Sequence, residues 1–325
     1  MDTDEYIDFL NELDDFEQTD NFIDKDKRRQ RFPPRNPKKL PDAAREFVHT
    51  QDDSRSNFKF TYKAARFEEW WLLDSLGGFY EQQWITDVLR RVKGGKEASV
   101  YQCRAGVPIQ AELVAAKVYR PRSLRNLRND GLYREGRHDL DENGRQIFDD
   151  GMLHAMEQKT EFGRELQHQS WIAYEFTTMQ VLRAAGADVP EPYTMAPNAI
   201  LMGYVGAISA AAPALSEVRL EASEASELFE RTIRNIDILL AHDRIHGDLS
   251  AYNILYWEGE ITLIDFPQVV SPRTNPHAYK IFRRDVKRVC EYFSAQGVRT
   301  DADRLAAELW TAHSHRTESD PAEAE

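Results

Sequence analysis

Two aspartates and an asparagine share one short stretch, HGDLSAYNILYWEGEITLIDF, residues 246–266. Asn253 follows Asp248 by five positions, and Asp265 follows Asn253 by twelve, at the end of an apolar run. A carboxylate and an amide oxygen suit Mg²⁺, which prefers hard oxygen ligands and retains waters. Phosphoryl transfer uses such a set: metal-bound phosphates, a positive charge beside them, and a group that orients the nucleophile. Each residue alone has a bland reading, with Asp248 capping a turn, Asn253 making an Asx bond and Asp265 closing a strand. The joint spacing favours the chemical reading. ILYW (254–257) and ITLI (261–264) flank a turn at Glu258-Gly259, so the asparagine and second aspartate stand on either side of a hairpin, as in kinase catalytic segments.

The positive charge has a candidate upstream. Lys117 in VAAKVYR follows a glycine-containing turn, KGGKEASVY, with Gly94, Gly95 and Lys96 in the position of a phosphate-covering loop. That turn is not a Walker loop, because Glu97 follows Lys96, and it lacks the three-glycine spacing of ordinary protein kinases. Lys117 then needs a glutamate on a helix packed against the sheet to fix its ammonium. Glu175, in WIAYEFTTMQVL, is the best candidate, with Glu161 and Glu165 as runners-up.

The elements that must carry these residues are legible in part. WITDVLRRV (84–92) fits either a helix or a strand, whereas residues 93–105 read as strand, turn, strand and 113–120 as a β-compatible run. Residues 120–160 lack a clean period and read as a charged, partly mobile insertion. Residues 161–185 read as a helix stopped by Gly186 and VPEP (189–192), and AILMGYVG (199–206) as a short buried strand. Helical periodicity returns over 224–242 and 278–294. The order is strands, one helix, two strands and a helical second half, which is α+β with two lobes and not an alternating Rossmann pattern.

Composition narrows the setting. The 325 residues carry 42 Lys and Arg against 55 Asp and Glu, a net charge of −13, so nucleic acid is not a default partner. The two cysteines, Cys103 and Cys290, have no metal-like spacing and fit a reducing compartment. The acidic N-terminus is unlike a signal sequence, and no run of about 18 apolar residues exists, so a cytoplasmic, non-membrane protein is expected. Residues 1–24 hold ten acidic and no basic side chains, and residues 25–39 hold eight basic and one acidic, a block polarity expected of an arm. Residues 1–80 are therefore expected to be a largely flexible or docking arm, 81–206 and 207–310 two lobes, and 311–325 a disordered tail.

Taken in order, GKEASVY (95–101), VAAKVY, WIAYEF (171–176), VPEP, ILMGYVG (200–206), HGDLSAYNILY (246–256) and IDFPQVVSPRTNPHAYKIFRRDVKRVCEYF (264–293) resemble the RIO family of atypical serine/threonine protein kinases over about residues 82–294. The resemblance implies a two-lobed protein-kinase-like fold, with a small β-rich N-lobe and a mainly helical C-lobe. It also implies ATP and Mg²⁺ as cofactors, with Mn²⁺ as the alternative ion. By this resemblance Asp248 orients the hydroxyl nucleophile, Asn253 and Asp265 hold the metal, and Lys117 with Glu175 positions ATP phosphates. Met202 gates the adenine pocket, and Gly203, Tyr204 and Val205 form the hinge that reads adenine. In such proteins the metal-binding aspartate can itself accept the phosphoryl group, giving Asp265 a second role compatible with carboxylate nucleophilicity. HGD and DFP stand where ordinary kinases have HRD and DFG, and no APE follows, so the activation segment and peptide-docking region are expected to be reduced.

Three functions compete. The first is ATP-dependent phosphorylation of serine or threonine in proteins, including the chain itself. The second is an ATPase conformational switch using an aspartyl-phosphate in ribosome- or RNA-linked assembly, with the 25–39 arm and Arg120, Arg122, Arg125 and Arg128 as phosphate contacts. The third is a small-molecule phosphotransferase, for which residues 295–325 look too short and polar to build a pocket.

Overall fold

The computed structural model describes residues 58–95, 97–120, 133 and 135–313. The acidic and basic arm over 1–39, Lys96, Arg122, Arg125, Arg128 and the tail from 314 lie outside the described residues. The chain runs through α1 (Arg66–Glu81), β1 (Ile85–Gly94), β2 (Ala98–Ala105), β3 (Leu113–Tyr119), α2 (Asp150–Glu157), α3 (Glu161–Ala184), β4 (Pro192–Ala196) and β5 (Ala199–Gly203). It continues through α4 (Ala222–Ala241), β6 (Ile254–Trp257), β7 (Glu260–Leu263), α5 (Ala278–Ala295) and α6 (Ala302–Ala312). The architecture is two-lobed α+β, as expected.

The first lobe is a five-stranded antiparallel sheet in the order β1-β2-β3-β5-β4. The ambiguous run at 84–92 is strand, because Ile85 and Val88 enter a core shared with Tyr101, Val114, Ala116, Val118 and Leu201. β3 is central and buried from Val114 to Tyr119, which explains its small and β-branched composition. Lys117 pairs with Val100 on one side and Ile200 on the other, so its backbone is fixed from both sides.

The expected 1–80 arm is corrected over residues 58–80, residues 1–57 lying outside the described residues. Phe58 is buried, and α1 lays Leu72, Leu76 and Phe79 into the sheet core at helical spacing. The Trp71 indole N–H donates to the Tyr119 carbonyl at 3.1 Å, and Tyr101 donates to buried Glu68 at 2.7 Å. A helix therefore precedes the strands, and this lobe begins by residue 58, not 81.

The 120–160 reading is corrected in two places. Residues 150–157 form α2, whose start is capped by Asp149 accepting from the Met152 amide. Residues 135–137 also dock on the second lobe. The Arg137 guanidinium donates to the Pro267 and Val269 carbonyls at 2.9 and 2.6 Å, and Thr274 and Asn275 side chains donate to the Gly136 and Glu135 carbonyls.

The second lobe packs α4, α5 and the β6–β7 hairpin around Leu228, Ile236, Leu240, Ile254, Leu263, Phe282, Val286 and Phe293. The hairpin turn falls at Glu258 and Gly259, both with positive φ, the geometry that matches strand twist in two-residue loops. Past α5 the chain adds α6, an element for which sequence periodicity gave no expectation. Asp301 caps it, and Trp310 is buried against Tyr279 and Phe282. Among the described residues no helix is long and apolar enough to cross a membrane.

Candidate active site

The cleft between the lobes is built around Lys117. Its Nζ lies 2.6 Å from Glu175 Oε1 and 2.6 Å from Asp265 Oδ1, so β3, α3 and the end of the hairpin segment meet at one ammonium. Residues 58 and 148 positions away in sequence are thereby joined. Glu175 is almost wholly enclosed, and its other oxygen accepts from the Tyr119 hydroxyl at 2.6 Å. The Phe266 amide also donates to Glu175, at 3.3 Å. Burial opposes the charge on Lys117, but Asp265 and Glu175 outweigh it and hold the ammonium above the usual lysine range. Burial likewise opposes the Asp265 carboxylate, and Lys117, assisted by His246 and Lys93, outweighs it and holds that carboxyl below the usual range. The Asp265 side chain still exposes 45% of its surface, so it forms an open floor of the cleft.

Asp265 has φ +73°, in the left-handed region that aspartate tolerates better than most residues. Such backbone strain clusters at functional sites. Phe266 beside it is fully buried against the His246 ring, whose Nε2 lies 3.1 Å from the Ile264 carbonyl.

Asp248 and Asn253 form a second constellation. The Asn253 amide donates to the Asp248 carbonyl at 2.9 Å and, more weakly, to its Oδ2 at 3.3 Å. The Ile264 amide donates to the Asn253 carbonyl at 3.0 Å, bringing the loop beside the residue that precedes Asp265. Gly247 permits the approach: φ is +84°, and a Cβ there would sit 2.0 Å from the Gln268 carbonyl oxygen. Its amide donates to Asp285 Oδ2 at 2.8 Å, and its carbonyl accepts from Arg284. Burial pushes the Asp285 carboxyl up.

The remaining candidates that are described lie in the first lobe's sheet, at its β1–β2 turn and in the segment that follows β5. Gly94 ends β1 opposite Ser99, and the Gly95 amide donates to the Ala98 carbonyl, making the β1–β2 turn. Met202 pairs with Ala115 in the sheet, and Gly203 pairs with Val114. The Gly203 amide and Val205 carbonyl are bound to Glu191 and Ala212. The Tyr204 hydroxyl accepts from Arg90 and donates to the Ala207 carbonyl, which pins the crossing between lobes. Sequence reading missed Tyr119, Asp285 and Arg288, the last of which donates to Asp248 Oδ1 at 2.7 Å. Tyr119 lies two residues from Lys117, and Asp285 interrupts the apolar stripe of α5. Those were the available signals.

Residues 130–305 match the RIO domain. The chain belongs to the RIO family. Over 217 residues it is 30% identical to the RIO-type serine/threonine-protein kinase Rio1 of Haloferax volcanii, covering 66% of each chain. The Rio1 protein of Thermoplasma acidophilum is 29% identical over 42% of this chain and 69% of its own length. Human serine/threonine-protein kinase RIO1 is 27% identical over 66% of this chain. The match spans about two thirds of the two archaeal relatives and 34% of the human protein.

Proposed function

We propose that this RIO protein transfers the γ-phosphoryl group of ATP to serine or threonine hydroxyls of protein, itself included. The observation that carries the reading is the Lys117 ammonium bridging Glu175 and Asp265 at 2.6 Å, opposite an Asp248–Asn253 pair on the facing lobe. Lys117 is the phosphate contact, fixed by Glu175, which the Tyr119 hydroxyl in turn orients. The hinge at Met202, Gly203, Tyr204 and Val205 borders the adenine site, and Gly94 and Gly95 cover the phosphates. Asp248 accepts the hydrogen bond of the attacking hydroxyl and orients it in line.

The donor set fits a divalent cation. Asp265 and the Asn253 amide oxygen are hard ligands, and two protein ligands leave positions for phosphate and water. One ammonium facing two carboxylates also leaves a net negative charge that such a cation offsets. When bound, Mg²⁺ neutralises phosphate charge as it builds in the transition state. The lobe boundary falls near Gly206, and buried free thiols at Cys103 and Cys290 suit a cytoplasmic setting.

The test is single-turnover labelling with γ-labelled ATP and Mg²⁺. An acid-stable phosphoserine or phosphothreonine, lost in Asp248→Ala, is expected. A hydroxylamine-labile label lost in Asp265→Asn would replace this reading with an aspartyl-phosphate switch. No label and no ATP turnover would remove both.

A further inference from the structure

The loop from Asp248 to Asn253, DLSAYN, contains no cation. Yet Asp248 meets one, because Arg288 reaches it from α5 across 40 residues of sequence, with Nη1 2.7 Å from Oδ1. Three side chains of α5 grip this short stretch, and they do different things. Arg284 donates to the Gly247 carbonyl and Asp285 accepts from the Gly247 amide, so both act on backbone. Arg288 alone binds the carboxylate itself. The pair is half-open to the cleft, with 40% of the Arg288 side chain and 42% of the Asp248 side chain exposed. An exposed ion pair of this kind is a weak source of fold stability, so its value lies elsewhere.

Geometry defines that value. Asp248 has two rotatable side-chain bonds, and among the described residues its Oδ2 is met by the Asn253 amide at a long 3.3 Å. Without Arg288 the carboxylate is loosely held. With it, Oδ1 is anchored and Oδ2 stays on the Asn253 side of the loop. A charge-assisted bond from a guanidinium to Oδ1 is short and strong, so it restricts the side-chain torsions of the aspartate that accepts it. We propose that Arg288 is a positioning residue for phosphoryl transfer. It locks the rotamer of Asp248 and supplies, from α5, the positive charge that the catalytic loop lacks. This rests on the kinase reading above and assigns one further residue within it.

The test compares Arg288→Ala, Arg288→Lys and the neighbouring exposed Lys287→Ala, which removes the same charge one position away. Arg288→Ala is expected to lower kcat about 10- to 100-fold, the scale of losing orientation of a reacting group. KM for ATP should stay within about twofold, because the contact is not one ATP makes in the ground state. Arg288→Lys should recover part of the loss, since it keeps the charge without the fork. Added guanidinium at non-denaturing concentration should partly restore Arg288→Ala, and Lys287→Ala should match wild type. An unchanged kcat in Arg288→Ala with an active wild type overturns this proposal alone. A loss of kcat that comes with a lowered melting temperature and no rescue by lysine or guanidinium makes the role structural and also overturns it. A wild type that transfers no phosphoryl group overturns the kinase reading and this assignment together.

Discussion

The two walls of the cleft hold their charges in opposite ways. On the first, Lys117 and Glu175 are 8% and 1% exposed, and Tyr119 behind them is fully buried. On the second, Asp248 and Arg288 are both about two-fifths exposed. A buried ion pair is costly to form and costlier to break, since removing one partner strands the other away from water. An exposed pair is screened, so it orients more than it stabilises. The first wall is thus part of the fold, and the second is a device mounted on it. Damage to the first wall should disturb stability and turnover together, whereas damage to the second should disturb turnover alone.

Lys117→Ala is the most severe way to probe that contrast. It leaves the enclosed Glu175 without its cation and removes the phosphate contact. Turnover should fall about 10²- to 10³-fold, and stability should drop by about 3–5 kcal/mol, measured by steady-state kinetics and urea unfolding. Unchanged turnover would refute the assignment of Lys117. Unchanged stability would erase the contrast between the walls.

Tyr119→Phe sharpens it. The ring stays packed against Trp171, but the hydrogen bond to Glu175 is lost. Bonds to charged groups contribute about 1.5–3 kcal/mol, so urea unfolding should show a loss of about 2 kcal/mol. Turnover should fall less than in Lys117→Ala.

The smallest effect is the pH dependence of Asp265, which bridges both walls. Its carboxyl is held below the usual range, chiefly by Lys117 against the opposing effect of burial. A carboxyl lowered in the folded state stabilises fully above its unfolded value near pH 4, and the gain is lost as pH falls through the folded value. Wild type should therefore lose stability below about pH 4 more steeply than Asp265→Asn, as read by thermal melting across that range. Lys117 is shifted upward, so its share persists below the unfolded lysine value near pH 10.4 and is lost only at more alkaline pH.

Local pattern made much of the fold legible. The helices over 161–185, 224–242 and 278–294 and the hairpin at 254–264 were read within a few residues of their bounds, because apolar periodicity and turn chemistry act over short range. α1 was hidden behind a charge-block tail, although Leu72, Leu76 and Phe79 carry its apolar face. α2 was hidden because only Met156 among its residues is buried, and the docking of 135–137 because carbonyls of a distant loop receive the Arg137 guanidinium, which no periodicity reports. α6 was hidden because only Ala306 and Trp310 among its residues are buried.

The sequence by itself determined the chemistry on offer: a carboxylate, an amide and a second carboxylate at kinase-like spacing, a lysine on a strand, and glutamates on a helix. Those are short-range facts of residue type and interval. Only the tertiary structure decided which of three glutamates meets Lys117, that Tyr119 backs it, and that Arg288 from α5 takes hold of Asp248. Burial, long-range pairing and charge compensation depend on where distant segments land, and an interval along the chain carries no record of that.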